Sequence, residues 1–290
     1  MSLTSREPVL AGVADRIPPQ AYFLVSAVFH YLGPAFAVLL FRHVDSLGVA
    51  WMRIASAAVV FAVWRRPWRF LLTASARQRG LLCALGAVLG LMNSIFYLAI
   101  ERLPLATVGA IEFLGPIVLA ALGARSARNV AALVVAAFGV WLLTDVRWVA
   151  EPMGLAFAFA NCALFMLYIV LGHRIATDGG ASGIDRLAAA MLIALVVASP
   201  IGLLQALPAL TNVGLLAAGV AVGVCSSVIP YVCDQLAMAR LSRATFALLL
   251  SLLPATAALI GVVVLGQLPT VGEMLGIALV VVGVGLHRAR

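Results

Sequence analysis

The sequence predicts an all-α polytopic membrane protein: ten transmembrane helices arranged as two inverted five-helix repeats. The first of three supporting observations is composition. Of 290 residues, 64% are hydrophobic and only 10% charged, whereas a soluble domain carries about 25% charged residues. The second is the count of apolar runs long enough to cross a hydrocarbon core of about 30 Å, which needs roughly 20 helical residues. The third is a duplicated passage. Arg102, Leu103, Ala106, Thr107 and Pro116 recur 138 residues later as Arg240, Leu241, Ala244, Thr245 and Pro254.

Taken in order, residues 1–19 form a polar tail with Arg6 and Arg16, closing on Pro18-Pro19. It has no short apolar core followed by a cleavage site, so no cleaved signal peptide is expected. Spans are expected near 20–41, 46–64, 81–100, 104–124 and 129–146, then 152–172, 186–204, 212–234, 244–266 and 271–287. Short polar corners such as Glu101-Arg102-Leu103-Pro104 make neighbouring spans antiparallel hairpins. The connection from Arg65 to Gly80 mixes arginines with Trp68, Phe70, Leu71 and Leu72, the pattern of a short amphipathic element lying along headgroups. Thr177 to Gly183 is glycine-rich and suits a flexible link between halves.

The basic residues set the orientation. All 19 are arginines, which excludes chemistry that needs a lysine amine. An even span count puts both ends on one side, and that side collects 15 arginines against 3 (Arg42, Arg102 and Arg147) on the other, with Arg53 inside a span. The positive-inside rule makes the arginine-rich side cytoplasmic. The net charge of +8 therefore answers to anionic lipid and not to nucleic acid. The four cysteines, Cys83, Cys162, Cys225 and Cys233, all fall in apolar runs without metal-ligand spacing, and neither metal nor cofactor is expected.

Five spans per half force the second half to enter from the opposite side. The expected organisation is a tail (1–19), a first repeat (20–148) and a second (149–290), in one integral membrane domain. Inverted repeats allow inward-open and outward-open forms to interchange around a site near mid-membrane.

Polar residues inside spans nominate that site. Tyr22, Ser26, His30 and Pro34 form one stripe of the first span, and Asn93, Tyr97 and Glu101 one of the third, with Glu101 placed to pair with Arg102. Asn161 and Tyr168 share a face of the sixth span, and the eighth carries Ser227, Pro230, Tyr231 and Asp234. Singly, such groups serve helix packing as readily as ligand binding. Arg53 and Glu112 carry most weight, because each is a charge about two turns inside its span. A charge at a helix centre costs at least ~2.5–3.5 kcal/mol on insertion scales, so each needs a partner or water. Two readings follow: a mutual ion pair that only orders the bundle, or two cavity charges that meet the ends of a zwitterionic solute. Pro116 and Pro254, at matching repeat positions, remove helical hydrogen bonds and suit hinges.

Several stretches together resemble the EamA-type carriers of the drug/metabolite transporter superfamily, nearest to their bacterial threonine/homoserine exporter branch. They are Met92-Asn93 with Phe96-Tyr97-Leu98, Glu112-Phe113 with Gly115-Pro116, Leu167-Tyr168-Ile169, Pro230-Tyr231 and Arg243-Ala244-Thr245-Phe246. The chain departs from the family at Leu265-Gly266-Gln267, where members often have Leu-Gly-Glu, and at Leu253, where many have glutamate. The resemblance implies a non-enzymatic inner-membrane exporter of small amino acids, with aromatic amino acids or cationic drugs as the sibling reading. A membrane enzyme on lipid-linked substrates would need acids or histidines clustered at one membrane face, and the buried charges here lie too deep. The expected substrate-binding residues are Glu112, Arg53, Asn93, Tyr97, His30, Tyr168 and Tyr231. The expected partners are a small-molecule substrate and membrane lipids, with a homodimer left open.

Overall fold

The computed structural model describes residues 18–123, 126–177, 183–238 and 253–286. The polar tail before residue 18, most of the glycine-rich link, and the second copy of the duplicated passage (Arg240 to Thr245) lie outside them. The described residues are helical throughout, apart from short turns. The helices are α1 Pro19–Leu40, α2 Ser46–Arg65, α3 Trp68–Thr73, α4 Ala76–Ile100, α5 Leu105–Gly123, α6 Ala127–Ala150, α7 Pro152–Thr177 and α8 Gly183–Leu210. They continue as α9 Val213–Gly223, a π-helical turn Val224–Val228, α10 Ile229–Met238, α11 Leu253–Leu265 and α12 Val271–Leu286.

Local chemistry fixes where these helices begin. Pro19 sits in the first turn of α1, where its missing N–H costs nothing. Asn212 Oδ1 accepts from the N–H groups of Gly214 and Leu215 at 3.0 and 3.2 Å and starts α9. The third span differs from expectation: α4 begins at Ala76, five residues before the apolar run at 81. Ser75 and Gln78 make a reciprocal capping box, which extends the helix through the polar residues Arg77, Gln78 and Arg79. The amphipathic connection condenses to the six-residue α3, with Trp68 and Leu72 exposed while Phe70 and Leu71 lean on the core.

Among the described residues, six helices are long and apolar enough to cross a bilayer: those over Gln20–Leu40, Ser46–Arg65, Ala76–Ile100, Pro152–Leu171, Gly183–Leu210 and Val213–Asp234. Leu105–Gly115, Ala127–Leu142, Leu253–Leu265 and Val271–Gly283 are shorter apolar segments among the described residues. Val63, Val196 and Val263 are each more than 70% exposed on outward faces, the inverse of a water-soluble surface.

Helix neighbours follow a simple rule. Helix α2 packs on α8, α6 on α12 and α5 on α11. The contact of α4 with α7 has a counterpart in that of α1 with α10, α4–α8 in α2–α9, and α5–α7 in α1–α11. The pattern is nearly unchanged when each long helix of residues 19–150 is exchanged for a matching segment beyond residue 150. α5 and α7 meet near Glu112, α1 and α2 meet the π-helical turn near Arg53, and α4 brings the Tyr97 ring to Arg53.

Candidate functional site

Arg53 lies about two turns into α2 and is 5% exposed. Its Nε donates to Ser227 Oγ at 2.9 Å and its Nη2 to the Ser226 carbonyl at 3.1 Å. Its guanidinium carbon lies 5.6 Å from the centroid of the Tyr97 ring, a cation–π contact from α4. The sequence explains why that carbonyl is available. An α-helical Ser226 C=O would accept from the N–H of residue 230, and residue 230 is proline. The chain widens into the π-helical turn instead, a feature that often marks functional segments of helices.

Two glycines let neighbouring helices close on this turn. A Cβ at Gly33 of α1 would run into Ser226 Oγ, and one at Gly223 would run into Ser56 Oγ of α2. The Ser226 hydroxyl is fully buried without a hydrogen-bond partner, as is the Tyr97 hydroxyl. The latter faces Arg53 and Ser226 without closing a bond of good geometry.

Glu112 lies about two turns into α5 and is 4% exposed. Its Oε1 accepts from Asn161 Nδ2 of α7 at 3.1 Å, while Oε2 and Asn161 Oδ1 are buried and have no partner. Tyr31 of α1, fully buried, also has an unpartnered hydroxyl. Its ring edge and hydroxyl pack on Gly109, one turn before Glu112. Two buried acceptor atoms on side chains bonded to each other, each without a partner, call for N–H donors.

Arg53 and Glu112 do not pair with each other. The ion-pair reading is corrected: both charges hydrogen-bond to residues beyond 150, Arg53 donating to Ser226 and Ser227 and Glu112 accepting from Asn161. Glu101 is corrected likewise. Its Oε2 accepts from Ser46 at 3.1 Å, a bond from α2, and it makes no pair with Arg102.

Of the other residues nominated by the sequence, Tyr97 joins Arg53. Asn93, 2% exposed, donates from Nδ2 to its own helix at Leu89 O, 2.8 Å, and its side chain lies close to Tyr231. His30 sits edge-on to Tyr31 at 5.2 Å. Tyr168 stacks on Phe165 at 5.9 Å, which meets Phe113, the neighbour of Glu112, edge-on at 6.1 Å. Tyr231 is buried in the core formed by α2, α4 and α8. Pro116 falls within α5, and Pro254 is the second residue of α11, whose expected earlier half (244–252) lies outside the described residues.

Asn161 and Ser227 stood among the polar residues inside spans but not among the expected substrate-binding residues, and Ser226 and Tyr31 were not singled out at all. Pro230, four residues after Ser226, was the available signal for the two serines. The departure at Gln267 also acquires a role. Gly266 adopts φ +65°, closing α11, and Gln267 Oε1 accepts from the N–H of Leu105 at 3.1 Å, capping α5.

Comparison with known proteins supplies the family. Residues 152–288 match the model of the EamA-like transporter family. The chain is 33% identical over 267 residues to the threonine/homoserine exporter RhtA of Escherichia coli K12, covering 91% of this chain and 88% of that protein. It is 34% identical over 279 residues to the protein of the same name from Salmonella typhimurium LT2, covering 94% and 92%. A solved crystal structure 18% identical to it superposes with a TM-score of 0.62, covering 92% of this chain and 97% of that one, and so shares its fold. With its apolar helices and these relatives, the chain is a multi-pass membrane protein that belongs to the EamA-like transporter family, near the RhtA branch, and is a carrier and not an enzyme.

Proposed function

We propose that the protein exports small neutral amino acids of the threonine or homoserine kind across the bacterial inner membrane, alternating between inward-open and outward-open forms. One observation carries this reading: two buried opposite charges that do not neutralise each other, each hydrogen-bonded to the other half of the chain. A solute with an ammonium and a carboxylate complements both. The ammonium supplies donors for Glu112 Oε2 and Asn161 Oδ1, and the carboxylate meets Arg53 beside the Tyr97 hydroxyl. Asn93, His30, Tyr168 and Tyr231 are assigned to reading the side chain. The names of the relatives support the substrate class.

Ten spans in two inverted halves, with both termini cytoplasmic, complete the proposal. The neighbour pattern that survives exchange of the halves and the 15-to-3 arginine asymmetry support it. Pro116 and Pro254 serve as hinges in the spans that carry Glu112 and its repeat counterpart. The aromatic row Phe113–Phe165–Tyr168 beside Glu112 favours, as a second reading, a cationic solute with an aromatic body.

Reconstituted protein in proteoliposomes, offered labelled amino acids with and without a pH gradient, tests both. The proposal expects saturable transport of L-threonine and L-homoserine. Transport of aromatic cations with no movement of any small amino acid would overturn it in favour of the second reading.

A further inference from the structure

A guanidinium has two edges that can each hold a carboxylate: the Nε–Nη2 side and the Nη1–Nη2 end. In this protein the side edge is already taken, by Ser227 Oγ at Nε and the Ser226 carbonyl at Nη2. One face is covered by the Tyr97 ring at 5.6 Å. An arginine side chain has about 2 kcal/mol of rotamer freedom to lose, and here most of it is lost before any solute arrives. The end edge is the part left to present. The Tyr97 and Ser226 hydroxyls, both buried without a hydrogen bond of good geometry, lie close to the guanidinium.

Resting on the amino-acid reading above, we infer that the π-helical turn is a positioning device for substrate carboxylate, with Ser227 as the residue that aims Arg53. The device is written into the local sequence. Pro230 withholds the N–H that would occupy the Ser226 carbonyl, and the wide turn brings that carbonyl and the next side chain to one edge of the guanidinium. Gly33 and Gly223 let α1 and α2 close on the turn, so it cannot drift away from Arg53. Ser227 never touches the solute; it acts through Arg53. Selection for a free carboxylate therefore belongs to the second half of the chain, although the charge itself belongs to the first.

The test uses Ser227→Ala and Ser227→Thr in the full-length protein in proteoliposomes, with L-threonine as substrate and L-threonine amide, which lacks the carboxylate, as competitor. The inference expects Ser227→Ala to raise KM for L-threonine about tenfold, with maximal rate within about twofold. Inhibition by the amide should be unchanged, and Ser227→Thr, which keeps the hydroxyl, should restore the wild-type KM. An unchanged KM in Ser227→Ala would overturn the inference. So would equal weakening toward the acid and the amide, which marks a purely structural serine, or failure of threonine to rescue. All three outcomes leave the amino-acid reading standing. Wild-type protein that moves no amino acid defeats that reading, and this inference with it.

Discussion

Arg53 and Glu112 sit at similar positions in their helices, yet their surroundings differ in kind. Arg53 is held by two hydrogen bonds and an aromatic face. Glu112 has one hydrogen bond, and its second oxygen is buried without a hydrogen-bond partner among the described residues. Burying a charge is tolerable when its hydrogen bonds are made, and an unmade one costs about 1–3 kcal/mol or more. The arginine is therefore a finished part of the fold that also offers an edge. The glutamate keeps an unmade hydrogen bond, the one the proposed function assigns to the ammonium of the solute. A pair of mutually neutralising charges would have had no such asymmetry, and no reason to release a solute.

The largest effect is expected from Glu112→Gln. The substitution keeps the volume and the bond from Asn161 and removes only the charge, so export should fall by about 100-fold or more while detergent melting stays within a few degrees. Retained export would place the solute elsewhere. Next comes Arg53→Gln, which strips donors from Ser227 and the Ser226 carbonyl. It should abolish export and also destabilise the protein by about 1–3 kcal/mol, read as earlier melting. Combined with Glu112→Gln it should not restore export, because the two were never partners. Recovery in the double variant would revive the ion pair.

Smaller effects sharpen the picture further. Gly33→Ala pushes a methyl into Ser226 and should cost about 1–3 kcal/mol, with weakened transport of amino acids that depend on Arg53. Pro116→Ala or Pro254→Ala should insert normally and slow transport; normal rates in both would reduce the prolines to packing features. Gln267→Ala removes a helix cap far from either charge and should lower stability by about 1 kcal/mol with substrate affinity unchanged.

Much of this was legible in the sequence, and the part that was not has a common cause. Hydropathy located the helices, and the missed start of α4 was a capping box, a local signal that hydropathy does not weigh. Depth was legible too: counting turns put Arg53 and Glu112 at comparable positions. Azimuth was not. Which face of α2 meets the π-helical turn, and which face of α5 meets α7, depends on packing between residues more than 45 apart, so the ion-pair and cavity-charge readings both stood until the helices were assembled. Asn161 shows the same limit, since a lone asparagine in an apolar run reads as a packing group until a carboxylate stands opposite it. Glu101 was misassigned by favouring its chain neighbour Arg102 over Ser46 on the adjoining helix.

The central claim is that Glu112 awaits an ammonium. Isothermal titration of purified wild-type protein and Glu112→Gln with L-threonine, and with N-acetyl-L-threonine as the ligand lacking that charge, tests it most directly. The account predicts binding of L-threonine to the wild type, binding weakened at least about tenfold in Glu112→Gln, and the same weak affinity of both proteins for the acetylated compound. Equal affinity of wild type and Glu112→Gln for L-threonine would contradict it.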